Sequence, residues 1–156
     1  LALIVMPSLL RLDGPAVSQG LYHKFDAGVI SRGSTDNDPL VHVMNLYTEN
    51  NFSQAVAQAD SILNQQQNNG KVLFFRGLSE LEIHQPDQAI QSFNRAIAEG
   101  GSIEAYSRWY LALTYLQQEN FMACKEQLAG LKKLDNHPYK KQVNKLYRRL
   151  RFRKTK

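Results

Sequence analysis

The chain has 156 residues, 43% of them hydrophobic, and a formal net charge of +5. That suits one domain with a real core plus an appendage, and not two ordinary domains. Its one cysteine, Cys124, excludes an internal disulfide framework and any thiolate-only metal site, so cysteine usage does not report the compartment.

The positive charge is unevenly placed. Nine of the nineteen Lys/Arg residues lie between Lys140 and Lys156, where there is no Asp or Glu. The other ten face all fourteen acids, so the rest of the chain carries −4. A basic end of this kind suits nucleic acid, an anionic lipid surface or an acidic protein patch, or is a solvated last helix whose cations face its negative C-terminal dipole.

The chain opens on "LALIVMPSLL". The six apolar residues before Pro7 are far fewer than the ~20 needed to span a bilayer, and no basic stretch precedes them as a complete signal peptide requires. Two readings stay open: the last turns of a truncated membrane anchor or signal segment, or a short strand or helix packed on the domain. From Leu10 to about Asn37, four glycines and one proline interrupt any apolar period. Residues 1–37 are therefore expected to form an extended, irregular N-terminal segment. Within it Phe25, Val29 and Ile30 could pair as a strand or lie along a groove.

After Asp38 the pattern becomes regular. The stretches "NNFSQAVAQADSIL", "HQPDQAIQSFNRAI" and "ENFMACKEQLAGLK" each place a small side chain three residues after an aromatic residue or proline: Ala55 after Phe52, Ala89 after Pro86 and Cys124 after Phe121. The small positions are 34 and 35 residues apart, and a second amphipathic stretch precedes each. This predicts three helix pairs, over about 38–69, 70–101 and 102–136. Pro39, Pro86 and Pro138 fit first turns of helices, and Gly70 and Gly100-Gly101 fit the turns between pairs, with Ser102 as an N-cap. A last amphipathic helix, 137–152, has Val143, Leu146, Tyr147 and Leu150 on one face and fits a cap that closes the array, with 153–156 as a basic tail.

This period and pattern resemble the tetratricopeptide repeat (TPR). The family's small residue in helix A is matched by Gly77 and Ala112, with Val43 in its place in the first unit. The small residue of helix B is matched by Ala55, Ala89 and Cys124, and a later B-helix position by Ala59, Phe93 and Leu128. The family's tryptophan position instead holds Pro39, Leu73 and Arg108, and its terminal proline is absent. The resemblance covers about 38–150. It implies an all-α fold, a right-handed α-solenoid of three helix pairs with a C-terminal capping helix over 38–152, in which A helices line a concave groove. Carried over residue by residue, it places Leu40, Met44 and Tyr47 beside Phe74, Leu78 and Leu81, followed by Tyr106, Trp109, Leu113 and Leu116. The partner-binding residues it implies are Met44, Tyr47, Phe74, Leu78, Tyr106, Trp109 and Leu113. The apolar start, the "WYLALTYL" stretch and the last helix are also similar to the extracytoplasmic TPR domains of bacterial membrane-anchored, anti-sigma-like or regulatory proteins. That resemblance implies a location on the periplasmic face of the inner membrane; a cytoplasmic location is the alternative.

Little in the sequence suggests catalysis. Four histidines fall in different elements with no H-x-x-x-H pair, so no metal is expected. Glu80 and Glu82, two apart on a helix, point away from each other. Cys124 occupies a crossing position and should be buried, and the glycine pair at 100–101 follows a helix rather than a strand. The expectation is a non-enzymatic protein–protein scaffold without cofactor, metal or small-molecule substrate. Its partner is a protein or peptide, among which are its own N-terminal segment, with Phe25, Val29 and Ile30 as plugs, and a neighbouring protomer. The membrane association expected is through an N-terminal anchor. The alternative is a nucleic-acid-associated adaptor using Lys140, Lys141, Lys145, Arg148, Arg149 and Arg151, with Tyr147 and Phe152 interleaved to stack on bases.

Overall fold

The computed structural model describes residues 12–30, 38–65 and 69–151, and every regular element among them is helical. In chain order these are α1 (Gly14–Leu21), a 3₁₀ turn (Ala27–Val29), α2 (Pro39–Thr48), α3 (Phe52–Gln65), α4 (Gly70–Glu82), α5 (Pro86–Glu99), a second 3₁₀ turn (Gly101–Ile103), α6 (Glu104–Gln117), α7 (Phe121–Lys132) and α8 (Lys140–Arg151). Among these described residues, no helix is long and apolar enough to cross a membrane.

The three expected pairs are α2/α3, α4/α5 and α6/α7, and each helix from α2 to α8 packs on the next. Small residues allow the crossings: Ala55, Ala89 and Cys124 are fully buried, as are Val43 and Ala112. At Gly77 the helices approach so closely that an added Cβ would stand 2.7 Å from Cε1 of Phe93. The backbone repeats as well. Asn50, His84 and Glu119 each take a left-handed φ, at 64°, 59° and 57°, in the turn from helix A to helix B. The next residue's N–H then reaches back to the carbonyl five residues earlier, 2.8 Å in every unit: Asn51 to Leu46, Gln85 to Glu80 and Asn120 to Tyr115.

Helix starts follow local chemistry. Asp38 accepts from the Leu40 N–H, Asn69 from Val72 and Asn120 from Ala123. Gly70 is thus the first residue of α4 rather than a separating turn, and Ser102 lies inside the second 3₁₀ turn instead of capping α6. Two successive glycines at positive φ, 100 and 101, lead into that turn and absorb the extra residue of the third unit. The capping helix begins two residues after Pro138 and buries Val143, Leu146 and Leu150, with α7 as its packing partner.

The N-terminal segment departs from the irregular form expected of it. Residues 14–21 are helical because the Asp13 carboxylate caps the Ala16 N–H at 3.0 Å and Pro15 sits in the first turn. α1 packs on α6, where Gly14 lies so close to the Leu116 carbonyl that a Cβ would come within 2.3 Å of its oxygen. Ser18 Oγ donates to the Leu113 carbonyl at 2.8 Å.

Candidate functional site: an aromatic groove filled by the chain itself

The A helices α2, α4 and α6 bring Tyr47, Phe74, Phe75, Tyr106 and Tyr110 together. α2 packs directly on α4, whereas α4 and α6 approach each other less closely and aromatic rings fill the space between them. Phe25, on the strand-like stretch that follows α1, occupies that space. Its ring meets Phe74 (4.9 Å between centroids), Tyr106 (5.2 Å), Phe75 (6.0 Å) and Tyr110 (6.2 Å), each edge to face.

Polar contacts hold the stretch that leads into that plug. The Tyr110 hydroxyl donates to the His23 carbonyl at 2.6 Å, and the Phe25 N–H donates to the Tyr47 hydroxyl at 3.1 Å. Tyr22 donates to Glu82 Oε1 at 2.5 Å and packs edge-on against Tyr110. Lys24 donates to Asn50 Oδ1, its ammonium 5.1 Å from the Tyr47 ring centre and 5.2 Å from that of Phe52. Burial is the main reason that the Tyr22, Tyr47 and Tyr110 phenols ionise above their ordinary range; the bond to Glu82 adds to it for Tyr22. All three therefore keep their protons at neutral pH. The groove thus reads one backbone carbonyl, one backbone N–H and one aromatic side chain, a combination suited to an extended peptide.

The residues expected to line this groove divide. Tyr47, Phe74 and Tyr106 touch the N-terminal segment. Trp109 does not offer an open anchor: its ring stacks 4.8 Å from Tyr139 at 12°, closing it under the turn before α8. Met44, Leu78 and Leu113 are buried in the core. Of the expected plugs, Phe25 and Ile30 are buried, whereas Val29 is 49% exposed because the 3₁₀ turn, capped by Asp26 on Gly28, directs Ala27 inward instead. Sequence reasoning missed Phe75 and Tyr110. The 35-residue offset relates the pair Phe74-Phe75 to Trp109-Tyr110, so the repeat itself carried that signal.

A polar cluster was also missed. Glu80, 1% exposed, pairs with Arg76 at 2.8 Å and accepts from Ser92 Oγ at 2.7 Å; Arg76 also reaches Asp60 and Ser92, both at 2.7 Å. Glu82 points elsewhere, to Tyr22, as the two-residue spacing requires. The Cys124 thiol is fully buried and pushed up to about 12 by burial, which suits packing and not nucleophilic attack. Among the described residues no three His, Cys, Asp or Glu side chains group as metal ligands. Lys140, Lys141, Lys145, Arg148, Arg149 and Arg151 all lie exposed on α8, while Tyr147 is half-buried with the Lys132 ammonium 4.5 Å over its ring. Phe152 lies outside the described residues.

No protein-family model matches the chain, and no curated protein matches it in sequence. Its geometry does have solved counterparts. The crystal structure of the Yersinia enterocolitica type III secretion chaperone SycD in complex with a peptide of the translocator YopD superposes with a TM-score of 0.66 at 16% identity, over 75% of this chain and 94% of that one. A second structure of the same translocator chaperone gives 0.64 at 14% identity, over 82% and 94%. The chain has a TPR-like helical-repeat fold. At such identities the likeness concerns the fold, and the aromatic groove above is defined by this chain's own residues.

Proposed function

We propose that the chain is a protein-binding helical-repeat scaffold whose concave aromatic groove recognises an extended segment, and that residues 22–30 occupy it in cis. The observation that carries this reading is Phe25, held among four aromatic rings while Tyr110 and Tyr47 bind the backbone that leads into it, at the His23 carbonyl and the Phe25 N–H. Such contacts place few demands on the sequence beyond one aromatic residue, so another segment of similar character could take the same place. The SycD complex, in which a protein of this fold holds a peptide of another protein, supports the reading by analogy of fold.

The role is non-enzymatic. It extends to a soluble domain of a bacterial membrane-anchored protein on the periplasmic face, a reading supported by the apolar Leu1–Met6 run and the sequence resemblance described above. Recovery of the natural protein in the cytosol after cell fractionation would refute that location without touching the groove.

A labelled peptide of residues 20–31 tests the groove. It should bind the Phe25→Ala chain, whose cis segment is weakened, far better than the intact chain, and should lose binding when Phe74→Ala is added. A helical Phe25→Ala chain that ignores the peptide would overturn the proposal.

A further inference from the structure

A second recess lies between α1 and α8, distinct from the concave groove and independent of its reading. It encloses about 390 Å³. Val17 and Leu21 form one apolar wall and Leu146 the other, with Lys141, Lys145 and Arg149 among the residues that line it. The three cations stand at i, i+4 and i+8 on α8, a single stripe with neighbours about 6 Å apart. All three are exposed, and none forms an ion pair among the described residues. Gly20 sits between Val17 and Leu21 on the opposite wall, and a Cβ there would meet nothing within 4 Å.

We propose that this recess docks an acidic amphipathic helix from a different protein. Its apolar residues would seat against Val17, Leu21 and Leu146, while carboxylates spaced four apart face Lys141, Lys145 and Arg149. Charge complementarity selects this occupant. The chain's own opening residues, 1–10, contain no acid, and no two acids anywhere in its 156 residues stand three or four apart. A second copy therefore offers no helix with the matching stripe. A bilayer would present a broad surface to a narrow recess, and aliphatic walls offer no ring on which nucleic-acid bases could stack.

The test uses the full 156-residue chain and a synthetic helix of about 15 residues with Leu on one stripe and Glu at every fourth position beside it. Two control peptides replace either Glu with Lys or Leu with Ser. By fluorescence anisotropy the Glu–Leu peptide should bind and both controls should fail. Gly20→Leu, which fills the recess from an open position, should weaken binding by at least roughly tenfold, as should joint replacement of Lys141, Lys145 and Arg149 by Gln. Replacing all three by Glu should transfer preference to the Lys peptide, an outcome that a misfolded chain could not produce. Binding that ignores Gly20→Leu, or absence of binding to a fully helical chain, would overturn the proposal. So would equal retention on vesicles of phosphatidylcholine with about one-third phosphatidylglycerol, lost with the cations but unchanged by Gly20→Leu.

Discussion

Phe25 meets Phe74 edge to face with ring centroids 4.9 Å apart, although the two residues belong to different parts of the chain: one precedes the repeats, the other lies in the middle unit. The contact joins segment to scaffold across a long stretch of sequence. Its loss should therefore act on the segment first. Phe25→Ala removes a large buried ring and should weaken docking by about 3 kcal/mol. Hydrogen exchange should then rise sharply in residues 22–30 while amides of α4 to α7 keep their protection. A uniform loss of protection across all helices would show that the segment is an inseparable part of the core and not a displaceable ligand.

The phenols that hold this segment make docking sensitive to alkali. Burial raises the ionisation of Tyr22, Tyr47 and Tyr110 above the ordinary value near 10, so the docked state retains protons that a released, solvated segment and groove give up. Their contribution is complete below pH 10 and declines as pH rises beyond it. Tyr47 and Tyr110 should each lose up to about 1.4 kcal/mol per pH unit above 10. Urea unfolding from pH 9 to 11, with tyrosinate absorbance recorded alongside, measures this. Tyr110→Phe should lower stability at pH 9 and flatten the alkaline decline, because it removes both the bond to His23 and one titrating group.

Gly77 and Phe93 form a matched pair inside the second unit. Phe93 is fully buried between helices and also contacts the rings of Phe74 and Tyr110, so it has little room to turn away from a new methyl group. Gly77→Ala should cost about 1–3 kcal/mol despite the better helix propensity of alanine. In a Phe93→Leu background the same change should cost less, giving a coupling of about 1–2 kcal/mol in a double-mutant cycle. Additive effects would mean that the crossing relaxes by moving the helices apart.

The helix pairs were legible because close crossings demand small residues, and Ala55, Ala89 and Cys124 recur at a nearly constant interval. The turns between paired helices were not legible in the same way. They require a left-handed residue, yet this chain uses Asn50, His84 and Glu119 where glycine would have signalled the turn. α1 was hidden because "GPAVSQGL" holds two glycines and only two large apolar side chains, while much of its anchorage comes from α6. Within the groove, periodicity could not separate ring from core: residues 72–75 and 77–80 of α4 are all buried, so Phe74 facing the segment and Leu78 in the core look alike in one dimension. Trp109 was misplaced for a related reason, since the residue that closes it, Tyr139, lies 30 positions later, beyond the repeat.

Glu80 ties the first two units together through Arg76, which bridges from α4 to Asp60 on α3 and Ser92 on α5. Its carboxylate is almost fully enclosed, and burial raises its ionisation above 4.5 even though Ser92 and Arg76 both act in the opposite direction. Truncation by Glu80→Ala should destabilise by about 2–3 kcal/mol, because it takes one of two carboxylate partners from the half-buried Arg76 and leaves a void and a hydroxyl without its acceptor at Ser92. Glu80→Gln keeps the shape and an acceptor, and should cost only about 1–2 kcal/mol. The pH dependence has a definite sign. The folded state holds the Glu80 proton more tightly than the unfolded chain, so this residue favours folding most below about pH 4, and that advantage shrinks as pH rises through its elevated folded value. The stability of the wild-type chain minus that of Glu80→Gln should therefore fall across the mildly acidic range and level off near neutrality. A difference that grows with pH over the same range would show that Arg76 outweighs burial, and that the carboxylate is held ionised by its partner against the enclosure around it.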